Sequence, residues 1–314
     1  METIASAKNK ALTELIFSRH ETFHPRYGWL KKGFDKAVEK PDLFSSDEAP
    51  TILGVGKNMV KAIKYWCIAF KILKEVKKQG QGRSIEPTSF GKDLLSDEGW
   101  DPYLEDPASL WLLHWSLLKP PCHATAWYYL FNVFNKSTFI INEVRDNLIE
   151  FKDSSFLNNR ILESSVVKDI SCILRMYSDH RDNKLVNEDS IDSPFTELGL
   201  IHNYGDSRNY IFNTEPKNNL PPHIIVSACL DYVDIVQESA KTMSIARLAY
   251  EAGSPGLCFK LSEGALADAL ENIAKQYDEI SLSDTAGSIQ FSFEGEAQSI
   301  SIRLLKDYFR RGNN

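Results

Sequence analysis

The chain has 314 residues, of which 43% are hydrophobic and 25% are charged, and its formal net charge at pH 7 is −7. This length is sufficient for two or three domains, and the composition is that of a globular protein, which excludes a wholly disordered chain. The negative total also argues against a protein that binds nucleic acid over its whole surface.

The charge is unevenly distributed along the chain. Residues 1–92 contain 17 Lys and Arg against 10 Asp and Glu, whereas residues 93–314 contain the remaining 19 against 33. The balances are therefore +7 and −14. Such asymmetry indicates that the N-terminal part meets a polyanion and that the remainder is solvated or contacts protein partners.

The N-terminus, the cysteines and the apolar runs indicate the compartment of the protein and whether it crosses a membrane. The first residues have no apolar run before a small-residue cleavage site, so we predict no signal peptide. The five cysteines are scattered and form no CxxC pair, which favours free buried thiols over structural zinc. The apolar stretch over residues 107–141 is broken by charged residues and prolines, which favours buried helices. We therefore expect a cytoplasmic protein with no membrane span.

The sequence predicts three segments in which a helix is followed by a hairpin. The first has a helix over residues 58–78 and a strand over 84–88. The second has a helix over 165–177 and strands over 197–201 and 210–212. The third has a helix over 262–277 and strands over 280–282 and 289–293, with Ile289, Phe291 and Phe293 on one face.

These segments predict a mainly α fold with small β-hairpins, of the α+β class. Helices followed by a small hairpin indicate winged helix-turn-helix-like units, here around a helical middle region. Polar joints are expected at residues 79–82, 178–193 and 213–222. The predicted division is a basic winged-helix-like region over 1–92, a helical middle domain over 93–190, and an acidic α+β region with winged-helix-like hairpins over 191–314.

The first helix separates a cationic face from a packing face. At 100° per residue, one narrow sector holds Lys57, Lys61, Lys64 and Lys71. The other sector carries apolar side chains. A helix start with exposed N–H groups, flanked by Lys57 and Asn58, is a suitable place for a phosphate or a base edge. A solvated lysine face is the alternative interpretation.

The string GVGKNM at this helix start superficially suggests a phosphate-binding loop. It lacks the GxxxxGK[ST] spacing and a preceding apolar strand, so no nucleotide cofactor is predicted.

Several longer strings resemble one bacterial family. They are FSRHETFHPRYGWLKKG (17–33), LGVGKNMVKAIKYW (53–66), SFGKDLL (89–95), GWDPYLEDPASLWLLHW (99–115) and GSPGLCFKL (253–261). The family is the uncharacterised SspB-like family, encoded beside phosphoadenosine-phosphosulfate-reductase-like proteins in DNA phosphorothioation clusters. The resemblance extends over essentially the whole chain.

This resemblance implies a role in phosphorothioate DNA modification and antiphage defence. It implies a DNA-nicking component that works with a sulfur-transfer enzyme, an ATPase and a cysteine desulfurase. A non-catalytic adaptor that binds DNA and recruits the sulfur-transfer enzyme and the ATPase is the alternative. A transcription regulator is a third hypothesis, although the chain has no heptad pattern or other dimerisation signal.

Nicking would require residues able to act on a phosphodiester, and the basic segment 20–32 offers several. Glu21 is a candidate ligand for Mg²⁺ or Mn²⁺, and His20 a candidate to activate water. Arg26 and Lys32 are candidates to neutralise phosphate, and Tyr27 to act as a nucleophile. Lys31 is assigned to DNA binding. The same residues also fit a packed turn or simple DNA contacts.

A two-metal centre needs several carboxylates, and the segment 20–32 supplies one. Asp101 is therefore the tentative second metal ligand. The acidic string around it also predicts a helix start, with Asp106 as the cap and Pro107 in the first turn.

Overall fold

The fold is described by a computed structural model. It describes residues 12–78, 82–155, 161–178, 193–205, 208–236, 239–285 and 287–312. The predicted joint at 79–82 lies outside these residues except for Gly82, and the joint at 178–193 except for its two end residues. Residues 213–221 connect a strand to the following helix, as predicted.

The N-terminal unit consists of three helices and a hairpin. Its elements are α1 (Trp29–Glu39), α2 (Ala49–Leu53), α3 (Lys57–Ala69), β1 (Leu73–Lys78) and β2 (Gly82–Pro87). The strands are antiparallel, and Leu73 is paired with Pro87. On α3, Val60, Ile63 and Cys67 are buried against the core, which confirms the predicted packing face.

The helix α3 ends earlier than the periodicity predicts, and residues 73–78 form a strand instead of its last turns. The cause is a Schellman motif. Lys71 has a left-handed φ of 60°, its N–H donates to the Ile68 carbonyl (2.9 Å), and the Ile72 N–H donates to the Cys67 carbonyl (2.9 Å). A glycine usually occupies this position. Because a lysine stands there, the sequence carried no stop signal.

Three helices follow the hairpin and fill the centre of the protein. They are α4 (Ser89–Leu95), α5 (Pro107–Leu118) and α6 (Thr125–Asn132). Asp106 caps α5 by accepting a hydrogen bond from the Ala108 N–H (2.8 Å), as predicted. Almost every residue of α5 and α6 is buried. Within the described ranges, no helix is both long and apolar enough to cross a membrane.

The second helix-and-hairpin unit begins with α6. It continues with β3 (Thr138–Ile140), α7 (Ile141–Ser155), α8 (Glu163–Tyr177), β4 (Ile201–Asn203) and β5 (Asn209–Phe212). The strand order is β3-β5-β4, with all pairs antiparallel. Of the predicted strand over 197–201, only Ile201 lies in β4, and Glu197 and Leu198 belong to a 3-10 turn, Pro194–Leu198, which Ser193 caps with Pro194 in its first turn.

The third unit repeats this order of elements with one additional helix. It consists of α9 (Pro222–Val236), β6 (Thr242–Ser244), α10 (Ile245–Tyr250), α11 (Pro255–Phe259), α12 (Glu263–Ala274), β7 (Ile280–Thr285) and β8 (Ser288–Phe293), and α13 (Ala297–Gly312) packs on α9. The sheet order is β6-β8-β7. Phe291 and Phe293 are buried as predicted, whereas Ile289, beside the hairpin turn, is 42% exposed.

A common hydrophobic core joins all three units, since one cluster of buried side chains extends from Leu12 to Phe309. All five cysteines are buried free thiols. The mainly helical α+β class is confirmed. The three predicted domains stay a prediction, although β3 and β5 pair across the expected boundary at residue 190.

Candidate nucleic-acid interface

A groove of about 1130 Å³ runs along one face of α3. One side is formed by α3 and the β1–β2 hairpin. The segment 14–21 and residues 161–165, where α8 begins, also line the groove. Pro121 and His123, which precede α6, also line it. We call this the α3 groove.

The sequence of α3 determines which side chains reach the groove. Lys61, Lys64, Tyr65 and Ile68 have the spacing i, i+3, i+4 and i+7, which places them on one helix face, and all four line the groove. The Tyr65 hydroxyl donates to the His123 carbonyl (3.1 Å). The cationic face of α3 therefore forms one groove wall, with an apolar part towards the helix C-terminus.

The α3 groove is positively charged although the chain is acidic. Six Lys and Arg line it against three Glu, an excess of +2 when Lys71, whose ammonium is bound to carbonyls at the end of α5, is not counted. The cations are Arg19, Lys61, Lys64, Lys71, Lys74 and Arg83, and the anions are Glu14, Glu21 and Glu75. The charge asymmetry of the sequence thus becomes a local cationic surface.

Two glutamates partly neutralise these cations. Glu21 lies 3.3 Å from the Lys61 ammonium, and Glu75 lies 2.7 Å from Lys64 and 3.3 Å from Arg83. The hydrogen bond from Lys64 is the main cause that lowers the pKa of Glu75. Lys74 is exposed and has no carboxylate partner within the described residues.

The loop over residues 18–23 is held in an unfavourable backbone conformation. Ser18, Glu21 and Thr22 have φ values of 54°, 50° and 71°, which cost energy in residues other than glycine. Phe23 and Thr22 are fixed through their carbonyls, which accept from the Trp66 indole N–H (2.9 Å) and from the Arg175 guanidinium (2.7 Å). This strained loop places Arg19 and Glu21 in the groove.

Asp169 on α8 anchors the same loop from inside the core. Its Oδ1 accepts the Ser18 N–H (2.8 Å) and contacts Nε2 of His20 (2.8 Å). Burial raises the pKa of Asp169, although its contacts with His20 and Ser18 oppose this. His20 is fully buried between the rings of Trp66 and Trp127. In this structure His20 positions the loop and does not line the groove.

The lysine predicted to extend the cationic face, Lys71, lies beyond the end of α3. Its ammonium donates to the carbonyls of Ser116 and Lys119 (2.9 Å for Lys119), at the C-terminal end of α5. Burial lowers its pKa to about 7. Lys71 therefore stabilises the end of a helix, as basic side chains do at helix C-termini.

The other predicted residues lie at several places. Arg26 packs its guanidinium over Phe23 and Trp29, and the Tyr27 hydroxyl donates to Glu197. On α1, Lys31 binds Asp35 (2.7 Å) and Asp97 (2.9 Å), and Lys32 donates to the Leu53 carbonyl (3.2 Å).

Lys57 and Asn58 are exposed at the start of α3. Of the predicted catalytic set, only Glu21 lines the groove.

The tentative metal ligands Glu21 and Asp101 both have partners within the protein. Mg²⁺ and Mn²⁺ require several oxygen ligands. Both carboxylate oxygens of Asp101 already accept hydrogen bonds, from the N–H groups of Glu105 and Asp106 (3.0 Å each) and from Ser109. Glu21 pairs with Lys61. Across the described ranges, no group of three or more His, Cys, Asp and Glu is placed to hold a metal.

Sequence reasoning missed several groove residues. Lys74 and Arg83 come from a hairpin whose first strand was assigned to a helix. Leu162 is 70% exposed directly before α8, and nothing in its sequence context marks it. Tyr65 has a recognisable signal, because it lies one turn from Lys61 on the helix.

The architecture and the groove define a mainly helical α+β protein of three helix-and-hairpin units with a cationic groove. The chain belongs to the family described as protein of unknown function, DUF4007, whose model matches residues 17–309. A comparison with curated proteins gives no match.

Two solved structures are similar to this chain over nearly its whole length. One is described as a magnesium ion-bound SspB crystal structure, with 36% identity, a TM-score of 0.91, and coverage of 96% of this chain and 89% of that one. The other is an SspB crystal structure, with 35% identity, a TM-score of 0.90, and coverage of 98% and 90%. The resemblance to the SspB-like family is confirmed.

Replacing Asp169 by Ala tests its anchoring role. We expect Asp169→Ala to lower the free energy of unfolding by about 2–4 kcal/mol, because it leaves the buried Ser18 N–H and His20 without their acceptor. The measurement is urea denaturation followed by circular dichroism. Asp268→Ala, at an exposed position on α12, is the control and should change stability by less than about 0.5 kcal/mol. Equal losses in both variants would contradict this role.

The lowered pKa of Lys71 makes stability depend on pH. The ordinary value of 10.5 applies to the unfolded chain, and about 7 to the folded one. Between these values the unfolded state binds the proton more tightly, so raising the pH favours the folded state. Relative to Lys71→Met, the wild type should therefore gain stability as the pH rises from about 7 towards 10.

Urea unfolding at several pH values across this window measures that difference. Lys74→Met, at an exposed neighbouring lysine, is the matched control and should follow the wild type at every pH. If the curves of the wild type and of Lys71→Met run parallel, the buried ammonium does not have the assigned pKa.

Proposed function

We propose that this chain is the DNA-binding component of a phosphorothioate DNA modification and antiphage defence system. The observation that supports this most is the α3 groove, where Lys and Arg outnumber Glu by six to three on a chain with a net charge of −7. Phosphate contacts dominate the affinity of proteins for DNA, so the cationic groove is the place where DNA would bind.

The order of elements supports the same proposal. The first and second units each have three helices and a hairpin, and the third has four helices and a hairpin. In the second and third units a short strand after the first helix pairs with the last strand of the hairpin, which gives the orders β3-β5-β4 and β6-β8-β7. This is the arrangement of winged helices, and α3 occupies the position of the recognition helix in the first unit. We propose that all three units are winged helices.

The third unit has the opposite charge at the equivalent position. Its helix α12 exposes Glu263, Asp268 and Glu271. Carboxylates repel phosphate, so this unit is suited to protein partners and the DNA contact belongs to the first unit. The proposed partners are the sulfur-transfer enzyme, the ATPase and the cysteine desulfurase of the same system.

Removing two groove cations tests DNA binding. We expect Lys61→Ala/Lys74→Ala to weaken DNA binding at low salt by at least about tenfold, and to reduce the slope of log affinity against log salt by about 1–2, because each lost phosphate contact removes one released counterion. Fluorescence anisotropy with labelled DNA measures both quantities.

The control variant is Lys306→Ala, on the exposed side of α13 outside the groove. It should bind DNA as the wild type does. A wild-type protein that binds neither single-stranded nor double-stranded DNA at low salt would refute the proposed function.

DNA nicking is a second candidate function. The observation that favours it is that a solved structure 36% identical to this chain is described as magnesium ion-bound. In this chain Glu21 is the carboxylate of the predicted catalytic set that lies in the groove. We propose that any nicking depends on Glu21.

Conversion of supercoiled plasmid to open circle, with and without Mg²⁺ or Mn²⁺, tests this candidate. We expect metal-dependent conversion by the wild type, its loss in Glu21→Gln, and its retention in Glu14→Gln, which alters another groove glutamate. Retained DNA binding without nicking under any of these conditions would leave the non-catalytic adaptor as the function.

A further inference from the structure

We infer that the α3 groove binds unpaired bases of single-stranded DNA in preference to intact duplex. This inference rests on the proposed DNA-binding function and specifies its ligand. It follows from the apolar side chains that line the groove beside its cations and from the groove volume.

The groove lining suits the faces of bases. Besides its cations, the groove is lined by Leu15, Ile16, Tyr65, Ile68 and Leu162. In a duplex the base faces are stacked on one another, whereas an unpaired strand can lay them on apolar and aromatic side chains while its phosphates contact lysines. The Tyr65 ring is held in place by its hydrogen bond to His123 (3.1 Å) and by edge packing on Trp66.

Leu162 is the most informative residue for this inference. A leucine that is 70% exposed gains apolar burial when it contacts a base, and this one lines the groove. The groove volume of about 1130 Å³ slightly exceeds the range of pockets that hold one drug-sized molecule. That space suits a few nucleotides.

Three fluorescent probes of about 12 nucleotides test the inference with the full chain: a single-stranded oligothymidine, an abasic strand with the same phosphates, and a duplex. We expect the oligothymidine to bind at least about tenfold more tightly than either of the others at the same salt. Leu162→Ala should weaken oligothymidine binding several-fold and leave abasic binding unchanged. Val38→Ala alters an exposed apolar residue on α1, and it should change the binding of neither the oligothymidine nor the abasic strand.

The outcomes separate this inference from the proposed function. Duplex binding equal to or tighter than oligothymidine binding would overturn the inference and leave DNA binding intact. Equal binding of the abasic strand and the oligothymidine would also overturn it, because bases would then contribute nothing. If no probe binds at low salt, the proposed function fails as well.

Discussion

The buried carboxylate of Asp169 is the contact on which the α3 groove depends. Three residues in the loop over 18–22 have left-handed backbone conformations, which a chain adopts only when surrounding contacts impose them. Asp169 imposes them by holding the Ser18 N–H and the His20 ring inside the core. Because α8 supplies this carboxylate, the second unit determines where the groove wall of the first unit stands.

Much of the fold could be predicted from the sequence because its signals are local. Helical periodicity located α3 and its packing face, and alternation located β8. The end of α3 could not be predicted, since Lys71 adopts the conformation of a C-terminal glycine and the helical pattern continues past it. The strand pairing of β3 with β5 joins residues about seventy positions apart, which no local pattern reveals.

The site was predicted less completely than the fold. Charge counting located the cationic helix, because an excess of lysine over acid is visible in sequence. Whether a polar residue is exposed depends on tertiary packing, and so His20 and Asp101 were assigned to chemistry although both are buried and hydrogen-bonded. The groove is also lined by residues 14–21 and 161–165, which are distant in sequence from α3.

Lys71 stands where two helices end. Its left-handed backbone conformation ends α3, and its ammonium donates hydrogen bonds to carbonyls at the C-terminal end of α5. Few amino acids can do both, because glycine and asparagine tolerate the conformation but cannot reach α5, and β-branched residues do neither. Position 71 is therefore a point of low mutational tolerance, where a single codon change would loosen a groove wall and a central helix together.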